Sequence, residues 1–143
     1  MKKNIPIALL ILSTSCISKS DETVFSDRRL TIMNNSNIEI VAMLSTDYPD
    51  TVNYKPDGCV ALDETYYIPA RTSKQLFLWG KTWDTYINRI PSKVAMLLLY
   101  DVDTAKYYYE KTQDCSLLKG KVLNRINFNI DYLNANNWLI VYE

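Results

Sequence analysis

The sequence predicts a mostly β fold, a small antiparallel two-layer β-sandwich with one short helix. Three observations lead there. Roughly seven short apolar runs are separated by Asn, Asp, Ser, Pro or Gly turn chemistry. One run, VAMLLLY at residues 94–100, is apolar on both faces, as a fully buried central strand requires. A single stretch, residues 82–90, abandons alternation for helical spacing. An open barrel is the competing closure of the same strands.

The elements follow in order. Residues 29–34 and 38–45 read as two strands joined through Asn35, Ser36 and Asn37, a hairpin whose turn residues tolerate left-handed φ. Residues 47–58, with two prolines and three aspartates, form a long loop. Residues 65–68 are a weak strand before Pro69, and residues 73–79 another ending at Gly80. In 82–90, Trp83, Tyr86, Ile87 and Ile90 share one helical face, Thr82 can cap the start and Pro91 blocks continuation. Residues 101–113 fit either a hairpin or a helical turn. Residues 121–131 form the clearest strand, with Val122, Ile126, Phe128 and Ile130 on one face and Lys121, Arg125, Asn127, Asn129 and Asp131 on the other. Residues 138–142 close the chain as a last strand.

The first sixteen residues, MKKNIPIALLILSTSC, have a different logic. Lys2 and Lys3 supply a positive start, residues 5–12 an apolar stretch too short to span a bilayer, and Ser13, Thr14 and Ser15 a small-residue cleavage zone. Small residues directly before a cysteine at the end of such a stretch resemble the lipobox of bacterial lipoproteins, with Ser13 where an apolar residue is usual. The resemblance implies a signal peptide at 1–15, a diacylglyceryl thioether and an acylated amine on Cys16, a lipidated tether at 16–27, and one β-rich domain at 28–143. A membrane address follows: the outer membrane, on its periplasmic or cell-surface face. Two or more acyl chains hold where one is marginal, because each buried methylene contributes about 0.8 kcal/mol. Lys19 followed by Asp21 and Glu22 is similar to the surface-export signal of Bacteroidota lipoproteins, or is simply a polar tether. The competing reading of the whole segment is an ordinary signal peptide cut near Ser15.

With Cys16 carrying lipid, Cys59 and Cys115 remain as an even pair. Outside the cytoplasm such a pair reads as a disulfide, stabilising by about 4 kcal/mol in the chain-entropy picture; two free thiols are the alternative.

Four further strings, NNSN (34–37), DYPDT (47–51), LNRI (123–126) and NWLIVY (137–142), together resemble small uncharacterised lipoproteins of gut Bacteroides-type Bacteroidota. Asn124 stands where lysine is usual there, Ile126 where tyrosine is, and Glu143 where proline is. The resemblance implies a lipoprotein with a β domain, and no activity.

Composition excludes several classes. The 143 residues balance 16 basic against 16 acidic groups, without a basic stripe for nucleic acid. Histidine is absent, which removes Ser-His-Asp and Cys-His catalysis in their usual forms and the commonest zinc ligand. Three glycines leave no Gly-rich phosphate loop. No catalytic residue, metal ligand or cofactor site is assigned. Asp47, Asp50, Asp57, Asp63, Glu64, Asp101 and Asp103 could serve a carboxylate-based glycan hydrolase or hold calcium, but no spacing fixes a pair or an EF-hand loop. The chain has 11 tyrosines. Tyr48, Asp50, Tyr107 and Tyr109 are the candidate binding residues, since exposed aromatics can stack on sugars or anchor a protein, while Trp83 and Trp138 suit a core. The expectation is therefore a non-enzymatic, membrane-anchored interaction module for a protein or glycan partner, with a hydrolase or a structural accessory of an envelope complex as alternatives.

Overall fold

A computed structural model describes residues 26–49, 63–112 and 115–143. Its centre is a four-stranded sheet in the order β4 (Tyr67–Ile68), β3 (Ile40–Ser45), β7 (Ala95–Asp101), β8 (Asn124–Phe128), antiparallel throughout. Alternation in β7 sends Ala95, Leu97 and Leu99 to one face and Met96, Leu98 and Tyr100 to the other, and all six are fully buried. The neighbouring β3 divides likewise, Ile40 and Ala42 against Val41 and Met43. A run without polar alternation is thus explained by a sheet covered on both sides.

The first face is covered by a second sheet, β5 (Thr72–Gln75), β2 (Thr31–Asn34) and β9 (Leu139–Tyr142), with helices α1 (Trp83–Arg89) and α3 (Ile130–Ala135). The other face is covered by helix α2 (Val102–Thr112) and the short turn Ser116–Leu118. A two-stranded ribbon pairs β1 (Ser26–Asp27) with β6 (Leu78–Trp79).

The expected two-layer β-sandwich with one helix is therefore corrected to a mixed α/β fold with three helices and open sheets among the described residues. Three local causes account for the difference. Residues 29–34 and 38–45 are not a hairpin: β2 and β3 lie in different sheets, and β2 pairs in parallel with β9. Asn34 makes this crossing, since its buried Nδ2 donates to the carbonyls of Ile38 (2.8 Å) and Ile68 (2.9 Å), and its Oδ1 accepts from the Ser36 N–H (3.1 Å) and Oγ (2.7 Å). The turn is thereby bound to the end of β4 instead of to a partner strand.

The expected strand 121–131 stops at Phe128. Asn129 accepts from the Tyr132 N–H at 2.8 Å and caps α3, and Leu133 is buried beneath it. That helix ends in a Schellman turn, with Trp138 N–H on the Leu133 carbonyl (2.7 Å), Asn137 N–H on the Asn134 carbonyl (3.3 Å) and Asn137 at φ 51°. Of residues 101–113, Val102–Thr112 form a helix and Gln113 lies outside the described residues: Asp101 accepts from the Thr104 N–H at 2.8 Å, and Val102 and Ala105 are buried. The α1 expectation survives, with Thr82 accepting from the Thr85 N–H at 3.1 Å.

Of the expected Cys59–Cys115 pair, only Cys115 falls among the described residues. Cys115, the one cysteine among the described residues, is buried in the cluster of Met96 and Leu98 and is disulfide-bonded. Cys59 and Cys16 lie outside the described residues.

Candidate functional site

The candidate binding residues separate. Asp50 lies outside the described residues. Tyr48 and Tyr109 come to the same region, both half-buried against the α2-side core, with Arg125 over the Tyr48 ring at 5.9 Å. Tyr107 is the exposed one, at 52%. It lies on α2, whose helical geometry turns it outward while Tyr108 and Tyr109 stay half-buried. Its ring packs edge-on to Tyr108 at 5.2 Å, and Lys111 lies over it at 4.0 Å and donates to its hydroxyl. Lys121 sits over Tyr108 at 5.2 Å and Lys106 over Tyr67 at 4.7 Å. Cations on this face are thus held against tyrosine rings, each stack contributing about 0.5–1 kcal/mol where exposed.

The carboxylates do not gather. Asp47, Asp63, Glu64 and Asp103 are exposed, Asp63 caps the turn Glu64–Tyr66 and Asp101 caps α2. Asp50 and Asp57 lie outside the described residues. Among the described residues there is no cluster of three Cys, Asp or Glu able to hold a metal. Asp63 is shifted below its ordinary value by the Thr65 hydroxyl and N–H, the direction opposite to a general acid's need.

The buried acid is Asp27, which the sequence reading did not single out. It accepts from Arg29 (Nη2 at 2.7 Å) and from the Trp83 N–H (2.9 Å). The Arg29 hydrogen bond, the largest influence, holds its pKa below the usual value, and the same contact raises that of Arg29. Arg29 also pairs with Asp84 and lies 3.9 Å over the Trp138 ring. This group fastens β1, the first described strand, to α1 and to the start of β9.

A cavity of about 360 Å³ lies on the α1 side of the central sheet. Ala42, Met43, Leu44, Leu76, Phe77 and Leu78 give it apolar walls, and Tyr66, Lys81, Trp83 and Tyr86 complete them. Trp83 is wholly buried, edge-on to Tyr86 (5.9 Å) and Phe128 (6.3 Å), and its Nε1–H has no acceptor among the described residues. An orphaned buried donor costs about 1–3 kcal/mol. Lys81 is partly exposed, lies 4.8 Å over the Tyr86 ring, and has no carboxylate within ion-pair reach among the described residues. The wall residues come from β3, the turn Glu64–Tyr66, β6, α1 and the segments before β6 and α1, so no contiguous motif marks the cavity. Placing Trp83 in the core was correct; its unpaired N–H has no signature in sequence.

A scan against protein-family models matches none, and searches of curated proteins and of solved structures give no match.

Proposed function

We propose that this chain is a lipid-anchored lipoprotein of the bacterial cell envelope whose domain is a non-enzymatic binding module. The observation that carries the proposal is the string at residues 1–16: two lysines, a short apolar stretch, three small hydroxyl residues and Cys16. It supports cleavage before Cys16 and acylation of that residue, with the outer membrane as the address. The likeness of the four internal strings to Bacteroidota lipoproteins points the same way.

The fold supplies two supporting features. Counted from Cys16, the described domain starts at Ser26, so the intervening chain reaches at most about 3.3–3.6 Å per residue from the bilayer. Ser26 pairs with Trp79, which is 57% exposed, packs edge-on to Phe77 at 5.2 Å, and has Arg28 nearby, 5.5 Å from the Phe77 ring. A tryptophan with an arginine beside it suits the headgroup region of a membrane. On the α2 side, exposed Tyr107 with Lys111 supports an amphipathic contact for a protein or glycan.

Fractionation of cells expressing the wild type and Cys16→Ser tests the anchoring. The wild type is expected in membranes after high-salt and alkaline washes, and Cys16→Ser in the soluble fraction. Identical partitioning of the two would overturn the proposal.

A further inference from the structure

We infer that the outward face of the ribbon formed by β1 and β6 is the surface by which this domain lies on a phospholipid bilayer. The inference rests on the proposed anchoring at Cys16 and adds the face that the anchor brings to the membrane. Strand alternation builds that face. Leu76 and Leu78 turn into the core, so Phe77 and Trp79 turn outward. Asp27 is buried on the opposing strand, so Ser26 and Arg28 turn outward beside them. Trp79 is 57% exposed, the most exposed large hydrophobic side chain among the described residues, and Phe77 packs edge-on to it at 5.2 Å. Arg28 stands 5.5 Å from the Phe77 ring. Asp27 and Asp84 both pair with Arg29, and Arg28 has no carboxylate within ion-pair reach among the described residues.

Chain length and charge together fix the occupant. Ser26 pairs directly with Trp79 and lies ten residues after Cys16. At about 3.3–3.6 Å per residue, that link reaches at most about 35 Å. A link this short holds the face at an effective concentration on the order of millimolar beside the bilayer, so a contact too weak to form without the anchor forms with it. The chemistry suits that surface: an indole seats at the boundary between headgroups and acyl chains, and a guanidinium pairs with phosphate. A soluble partner has no such link to this face. Docking there turns α2, which covers the opposite side of the central sheet, away from the membrane.

The test uses the acylated full chain, extracted from its own membranes and reconstituted in phosphatidylethanolamine–phosphatidylglycerol vesicles with and without lipid brominated near the headgroup end of its acyl chains. Bromine quenches only tryptophan that enters the bilayer. The wild type is expected to lose at least a quarter of its tryptophan emission to the brominated lipid, and Trp79→Ser, changed at an exposed position, almost none. Arg28→Glu, which keeps every tryptophan, is expected to lose less than half as much as the wild type. Tyr107→Ser, on α2, is expected to match the wild type. All four chains stay on the vesicles through the anchor, so the readout separates docking from attachment. Intact mass of each preparation reports the anchor: an acylated chain whose Trp79 is not quenched overturns the docking and leaves the anchoring standing, and an unmodified Cys16 overturns both. Equal quenching of wild type and Trp79→Ser overturns the inference as well. So does a Trp79 shielded from aqueous iodide but not quenched by bromine, with shielding lost on dilution in lipid, which would assign the face to a second copy of the chain.

Discussion

The turn at Asn34 and the cavity wall at Trp83 treat a wholly buried polar side chain in opposite ways. Asn34 donates to the Ile38 and Ile68 carbonyls and accepts twice from Ser36. Trp83, equally buried, leaves its indole donor without an acceptor. Both lie close to the central sheet, so depth alone does not separate them. The Asn34 site is architecture, because its hydrogen bonds direct the chain from one sheet to the next. Trp83 lines a cavity, but its indole nitrogen is sealed from solvent and its missing partner is a cost the packing carries. In one protein, a satisfied buried polar group marks a structural joint and an unsatisfied one marks a place where apolar packing outweighs a lost hydrogen bond.

Substitutions sharpen this contrast. The largest effect is expected from Asn34→Asp, which keeps the shape but sets a carboxylate against two buried carbonyls. It should destabilise by at least about 3 kcal/mol in urea unfolding at neutral pH. An effect under 1 kcal/mol would mean that the turn is not held as described.

Next comes Asp27→Asn, in the charged joint between β1 and α1. Loss of charge-assisted bonds to Arg29 and to the Trp83 N–H should cost about 2 kcal/mol at pH 7. The folded carboxyl titrates below its ordinary value of 3.8, so the contribution of Asp27 is fully present above that value and lost as pH falls through the folded pKa. The stability gap between wild type and Asp27→Asn should therefore be constant from pH 5 to 8 and close below about pH 4. A gap that persists in acid would assign the effect to packing.

The smallest effect is expected from Trp83→Phe. The variant removes ring atoms beside an existing cavity and breaks no hydrogen bond, so about 1 kcal/mol should be lost. A cost equal to that of Asn34→Asp would show that the indole N–H has a partner, and the contrast would fail.

Sequence made the local signals legible. Thr82, the Trp83, Ile87 and Ile90 spacing, and Pro91 specify α1, and the uninterrupted apolar run 94–100 specifies a strand buried on both faces. What it concealed was mostly capping and partnership. In α2, Asp101 is a cap, but three consecutive tyrosines favour a strand by propensity, and the packing of Val102 and Ala105 on the sheet decides for helix. In α3, Ile130 continues the alternation of β8 by coincidence, so Asn129 resembled a polar strand position instead of an N-cap. The parallel pairing of β2 with β9 joins opposite ends of the domain and leaves no local trace. The cavity was hidden for the same reason: Leu44 and Lys81 approach only through the fold, and Lys81 has no motif around it.

The functional account depends on the chemical state of Cys16, and intact-mass spectrometry of the protein extracted from its own membranes measures that directly. The expected mass is that of a chain beginning at Cys16 plus a diacylglyceryl group and an amide-linked acyl chain, with the added mass confined to the N-terminal peptide. An N-terminal peptide that retains residues 1–15, or that begins elsewhere with Cys16 unmodified, would contradict the account.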